Sequence, residues 1–185
     1  MVRPVHMKFS SFLAGTLMFS PLFGALEFKD SKGKYLDVVS DGKVLVRYMY
    51  EHDTSTPEKH HETYKPYLHV FDAEGKKPIT KGAGGQFTHH RGIFIGWSST
   101  KANGKSYDRW HMKGGDIIHQ KFLKQEVTDG TAVFTSVTHW MDESAKPFME
   151  EERTFTVSEG KHGGRLMIDF SAAHHCLLYT SPSPR

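Results

Sequence analysis

Asp116 to Trp140 reads DIIHQKFLKQEVTDGTAVFTSVTHW. Two runs rich in β-branched and aromatic residues, Asp116–Glu126 and Thr131–Trp140, flank the pair Asp129-Gly130. Asp-Gly accepts the positive φ angles of a tight hairpin turn, so the stretch predicts two long antiparallel strands. A third run follows at Phe148–Val157, and Arg165–Phe170 opens another after Gly163-Gly164.

Upstream, Leu26–Asp30 and Tyr35–Val39 are short strand candidates around the turn Ser31-Lys32-Gly33. Ser40-Asp41-Gly42 leads into KVLVRYMY, Lys43–Tyr50, whose two faces are both mostly apolar. Such a strand is expected in the middle of a sheet. Pro66–Phe71 is a further strand candidate. Glu51–Lys65 is polar, contains Pro57, and reads as a long loop. No stretch carries a sustained helical period, so the expected class is all-β, an antiparallel β-sandwich.

The two ends stand apart from this pattern. Met7–Ala25, MKFSSFLAGTLMFSPLFGA, has a basic start, an apolar stretch broken by Pro21 and a small-residue end. That is the layout of a secretory signal peptide, with Met1–His6 as upstream read-through. Cys176–Arg185, CLLYTSPSPR, matches residue for residue the translation of a sequencing-library transposase adaptor. The expected domain is therefore 26–175, the N-terminal part of one β-sandwich continuing beyond His175. The expected location is periplasmic or secreted. The single cysteine supports no disulfide framework. The charge of +3 is mixed along the chain, with no basic stripe for nucleic acid and no membrane span in the mature segment.

The sharpest chemical signal is Phe87–Trp97, FTHHRGIFIGW. Its apolar run Ile93-Phe94-Ile95 reads as a short buried strand with His89, His90 and Arg91 at its mouth. Thirteen histidines are present, eight of them from His52 to His119. Histidine suits proton transfer near neutral pH and metal binding. His89, His90 and His111 are the candidate catalytic residues. Arg91, His69, Trp110 and Trp97 are the candidate substrate-binding residues. Trp110 beside His111 suits a sugar-binding wall or ordinary packing, and His69, flanked by Leu68 and Val70, suits a pocket or a hydrogen-bonded core position. His60-His61 lies in polar surroundings and reads as solvated. In EEERTFTV, Glu151 and Arg153 share one strand face with Phe155 and Val157, so an inward carboxylate has Arg153 as partner. No H-E-x-x-H, H-x-H or cysteine pair is present, so no metal or other cofactor is expected.

Four segments in order are YKPYLHVFDAEGKKPIT (Tyr64–Thr80), FTHHRGIFIGW, YDRWH (Tyr107–His111) and EERTFTV (Glu151–Val157). Together they resemble the exported family labelled methane oxygenase PmoA, a domain of unknown function. Such an oxygenase subunit needs several spanning helices, and none is expected after the leader, so that activity is not expected here. The family resembles the galactose-mutarotase-like supersandwich, which binds sugars across a large sheet with an arginine and histidines. The resemblance implies that Arg91, with His89 or His90, contacts the ligand while His69 and His111 flank it.

The leading expectation is a protein that binds a small-molecule or oligosaccharide ligand and converts it by histidine acid–base chemistry, as an epimerase, lyase or hydrolase. Two others stand beside it: a metal-dependent enzyme built from histidines on neighbouring strands, and a non-catalytic carbohydrate-binding or adhesion module.

Overall fold

The structure is a computed structural model that describes residues 24–102, 104–160 and 165–177. The leader-like segment as far as Phe23 and the adaptor-like tail from Leu178 lie outside the described residues. The described residues are all-β apart from one short helix.

The first sheet is a meander of β1 (Leu26–Ser31), β2 (Tyr35–Ser40), β3 (Lys43–Met49) and β4 (Tyr67–Val70), all neighbours antiparallel. As its doubly apolar pattern requires, β3 is central, paired on both sides. A register shift at Val38/Val39 lets both valines bury. Between β3 and β4 lies α1 (Pro57–Thr63), where a loop was expected. Thr56 caps it by accepting from the Lys59 amide, and Pro57 opens it. None of its residues is buried, so no apolar period announced it.

A small hairpin, β5 (Thr100–Ala102) with β6 (Lys105–Tyr107), precedes the second sheet. That sheet comprises β7 (Ile117–Thr128), β8 (Thr131–Met141), β9 (Pro147–Glu159) and β10 (Leu166–Cys176), in the order β10-β9-β8-β7. Asp129 and Gly130 both have positive φ, 49° and 70°, as the tight turn between β7 and β8 demands. Strand β10 reaches one residue into the adaptor-like segment, with Cys176 opposite Met149.

The two sheets pack face to face. Leu36, Val38, Val46, Tyr48 and Leu68 from one meet Ala132, Phe134, Phe155 and Val157 from the other, all fully buried. Each of the buried Val, Leu and Phe side chains contributes about 1.5–3 kcal/mol. A second core joins the β5–β6 hairpin to the large sheet, with Tyr107 stacked on Phe148 at 4.2 Å and Trp140 fully buried.

A polar network crosses the inner face of β8 and β9, where Glu151 and Arg153 turn inward with Phe155 and Val157. Arg153 Nε and Nη2 donate to Glu151 Oε1 at 2.9 Å and Oε2 at 2.5 Å. Trp140 Nε1 donates to the same carboxylate at 2.7 Å, and Arg153 Nη1 reaches the Pro66 carbonyl at 3.2 Å. Burial alone pushes the Glu151 carboxyl up. The Arg153 charge and the hydrogen bonds outweigh it and hold the group below its usual range. Among the described residues, no helix is long and apolar enough to cross a membrane.

Candidate functional site

Residues 80–97 pass over the edge of the first sheet beside β4. Ile93 makes a single antiparallel bridge to Leu68, with both amides bonded at 2.9 Å. The expected strand at Ile93–Ile95 is therefore one bridge, not a strand. Close backbone approach cuts it short. A Cβ on Gly92 would lie 2.0 Å from the Leu68 carbonyl oxygen, and one on Gly96 would lie 2.9 Å from that of Arg109. Just before the bridge the chain turns, with the His90 amide donating to the Phe87 carbonyl at 3.1 Å. That turn lets adjacent His89 and His90 approach one another on one side, which a regular strand would forbid.

The second wall is the turn after β6. Trp97 O accepts from the amides of Arg109 and Trp110 at 2.9 and 3.1 Å. The buried Arg109 guanidinium donates to the carbonyls of Lys113 at 2.6 Å, Gly114 at 3.1 Å and Met141. Asp108 closes the turn by accepting from the His111 amide and pairing with His111 Nδ1, both at 2.9 Å. Beneath it, Lys65 Nζ donates to the Trp110 carbonyl at 3.0 Å and sits 3.7 Å over the Phe94 ring.

The two walls bring His89, His90, His111 and Trp110 together. His89 lies 4.3 Å from His90 and 4.8 Å from His111, ring centre to ring centre. Trp110 lies 6.3 Å from His89 and 5.6 Å from His90, and Phe87 stacks on His90 at 5.4 Å. His90, His111 and Phe87 are exposed, so the group faces solvent.

Its charges are tuned. Desolvation, then the neighbouring His90, His111 and Lys65, lower the His89 imidazole below its ordinary range. Desolvation, with Arg91 adding repulsion, brings the Lys65 ammonium down to about 7. Burial would raise Asp108, but its bonds to His111 outweigh that and lower it. Asp108 therefore stays an anion beside Nδ1 of His111. With the proton on Nδ1, Nε2 is left free as a proton acceptor.

The family model described as a family of unknown function (DUF6807) matches residues 35–179. The chain belongs to that family. The match runs from β2 through β10 and includes both walls of the cluster. No curated protein and no solved structure matches.

The other expected site residues of this DUF6807 member lie apart from the cluster. Arg91 is buried, and its guanidinium donates to the carbonyls of His61, Glu62 and Thr88. It clamps the C-terminal end of α1, so its donors point at backbone rather than at a ligand. His69 is buried on β4, with Nδ1 3.0 Å from Thr80 Oγ1. Desolvation and the Arg47 charge keep its imidazole below the ordinary range. Trp97 packs instead on Trp140 at 5.2 Å and His174 at 4.9 Å, beside the Glu151–Arg153 network.

Several residues escaped the sequence reading. Asp108 and Lys65 support the cluster, and the D-x-x-H spacing of Asp108 and His111 was the available signal for one of them. Across the 108–115 turn, His52, His60 and Asp116 converge. His52 Nε2 lies 2.7 Å from Asp116 Oδ2, and His60 Nε2 lies 2.9 Å from both carboxylate oxygens. His60, expected to be solvated, is thus engaged. No local pattern joins these three, because the loop after β3, helix α1 and the residue before β7 supply them.

Proposed function

We propose that the His89–His90–His111–Trp110 cluster binds a carbohydrate and carries out acid–base chemistry on it. The observation that carries this reading is the Asp108–His111 pair beside two further imidazoles and an indole. It sets a base, a neighbouring acid and an apolar wall within one exposed group. Trp110 and Phe87 provide faces for the C–H surface of a sugar ring. His111, held by Asp108, accepts a proton at Nε2. His90 returns one to an oxygen or carbon of the substrate. Lys65, whose ammonium burial brings down to about 7, lies beneath them.

Epimerisation, elimination and hydrolysis all need this pair of roles. The resemblance to the PmoA-labelled exported family, and through it to the galactose-mutarotase-like supersandwich, supports a saccharide as partner. The methane oxygenase activity in that label forms no part of the reading. The leader-like Met7–Ala25 supports export to the periplasm or beyond the cell.

Calorimetric titration of a monosaccharide and oligosaccharide panel tests the reading. Wild type binds at least one saccharide, and Trp110→Ala and His111→Ala each weaken it by at least about tenfold, or 1.4 kcal/mol. Equal binding by both variants and wild type refutes the site. Binding without any turnover leaves a carbohydrate-binding module and removes the acid–base half.

A further inference from the structure

His52, His60 and Asp116 stand outside the cluster just described, on the other side of the 108–115 turn. They line a cavity of about 570 Å³ shared with Thr54, Tyr64 and Glu143. We propose that these three residues bind one divalent transition-metal ion, with zinc as the expected ion, and that its open coordination positions face this cavity.

The donor set comes first. Two imidazole nitrogens and one carboxylate suit zinc, iron or manganese, and lack the all-oxygen character calcium and magnesium require. Three protein ligands leave at least one position for water or a substrate oxygen, as catalytic rather than structural sites do.

Geometry comes second. One ligand atom from each residue can be chosen so that all lie within 4.8 Å of one another. Bonds of about 2.0–2.2 Å in tetrahedral arrangement place ligand atoms about 3.3 Å apart. The two His–Asp contacts, at 2.7 and 2.9 Å, need only open by a few tenths of an ångström around an ion. The two rings then draw together from a centroid separation of 5.8 Å.

Backbone anchoring comes third, because a site needs its ligands held before the ion arrives. Asp116 is fixed from both flanks. Its carbonyl accepts from the Met141 amide at 2.8 Å, and the next amide, of Ile117, donates to Tyr64 O at 3.1 Å. The loop carrying His52 is tied to α1 through Asp53 and Thr63, amide to hydroxyl at 2.9 Å and hydroxyl to carbonyl at 3.2 Å. His60 rides on α1, whose end Arg91 clamps, and its ring lies 5.9 Å from that of Tyr64. The role of Arg91 in this site is thus positioning, through the helix.

The test is zinc uptake by the purified full chain after chelator treatment, read by calorimetry with inductively coupled plasma analysis. One zinc per chain is expected. His52→Ala/His60→Ala and, separately, Asp116→Asn weaken uptake by more than about tenfold. His89→Ala/His111→Ala, which dismantles the proposed saccharide site, leaves it intact. Zinc-edge X-ray absorption of the wild type, which needs no variant to fold, shows two imidazoles and oxygen ligands. The proposal is overturned by any of three results: no stoichiometric zinc, uptake unchanged in His52→Ala/His60→Ala, or uptake lost in His89→Ala/His111→Ala. The last would move the metal to the other cluster.

Discussion

Glu151→Gln removes one charge from the centre of the protein with almost no change of shape. Both partners of the Glu151–Arg153 pair are essentially inaccessible, with side-chain exposures of 0% and 1%. In wild type, Oε2 takes Trp140 Nε1 at 2.7 Å, Thr138 Oγ1 at 3.3 Å and Arg153 Nη2 at 2.5 Å, while Oε1 takes Arg153 Nε at 2.9 Å. A glutamine oxygen at the Oε2 position keeps its three donors. Its NH2 then faces Arg153 Nε, donor against donor, and the guanidinium is left buried without a counter-charge. Breaking one side of a buried pair costs about 3–5 kcal/mol. A domain of this size has only about 5–15 kcal/mol in total. The melting temperature should fall by about 6–20 °C.

Urea unfolding followed by tryptophan fluorescence is the assay, with Trp140 reporting from inside the network. The double variant Glu151→Gln/Arg153→Met discriminates charge from packing. It removes the orphaned guanidinium while the glutamine oxygen still serves Trp140 and Thr138. It should recover at least about 1–3 kcal/mol relative to Glu151→Gln alone. A Glu151→Gln cost below about 1 kcal/mol, typical of an exposed pair, refutes the reasoning. So does a double variant whose loss equals the sum of the two single losses.

Three further outcomes follow from the structure. Burial, with the Arg153 charge adding to it, pushes His119 down to about 4. The unfolded chain therefore takes up a proton near the ordinary value of about 6.5 that the folded chain refuses until about 4. The contribution of His119 to stability is complete above about pH 6.5 and is lost as pH falls toward 4. His119→Phe should flatten that segment of a melting-temperature profile. Arg91→Ala should cost at least about 2 kcal/mol and speed hydrogen exchange in α1, and Arg91→Lys should not restore protection, because one ammonium cannot span two carbonyls as the guanidinium fork does. Asp108→Asn should lower turnover of a processed saccharide by about 10²–10⁴ while binding persists, because the tautomer of His111 is no longer fixed.

The sheets were legible because their signals are local. Asp129-Gly130 dictates a turn, and the alternation of Glu151, Arg153, Phe155 and Val157 places an ion pair on the inner face whatever surrounds it. The doubly apolar Lys43–Tyr50 run could only be a central strand. The site was partly legible. The fold gathers His89 and His90 of Phe87–Trp97 with His111 and Trp110, but the apolar residues of that stretch form one bridge, because whether Ile93 pairs depends on how closely Gly92 meets Leu68. Helix α1 went unread because it buries nothing and so has no period. Thr56-Pro57-Glu58, a cap, an N1 proline and a first-turn acid, was the available cue. Arg91 shows the deeper limit. A sequence states that five N–H groups exist near a histidine pair, and the fold alone decides that they turn to His61 and Glu62. His52, His60 and Asp116 are brought together by the tertiary fold across more than 50 residues of sequence, so no spacing rule could find them.

The most direct test of the saccharide reading is a crystal of the protein soaked in the monosaccharide and oligosaccharide mixture that the titrations select from. The predicted result is a sugar ring packed on Trp110, with an oxygen or carbon within hydrogen-bond reach of His111 Nε2 and a second polar contact from His89 or His90. Sugar seated elsewhere on the sandwich, with Trp110 and the three imidazoles untouched, would contradict it.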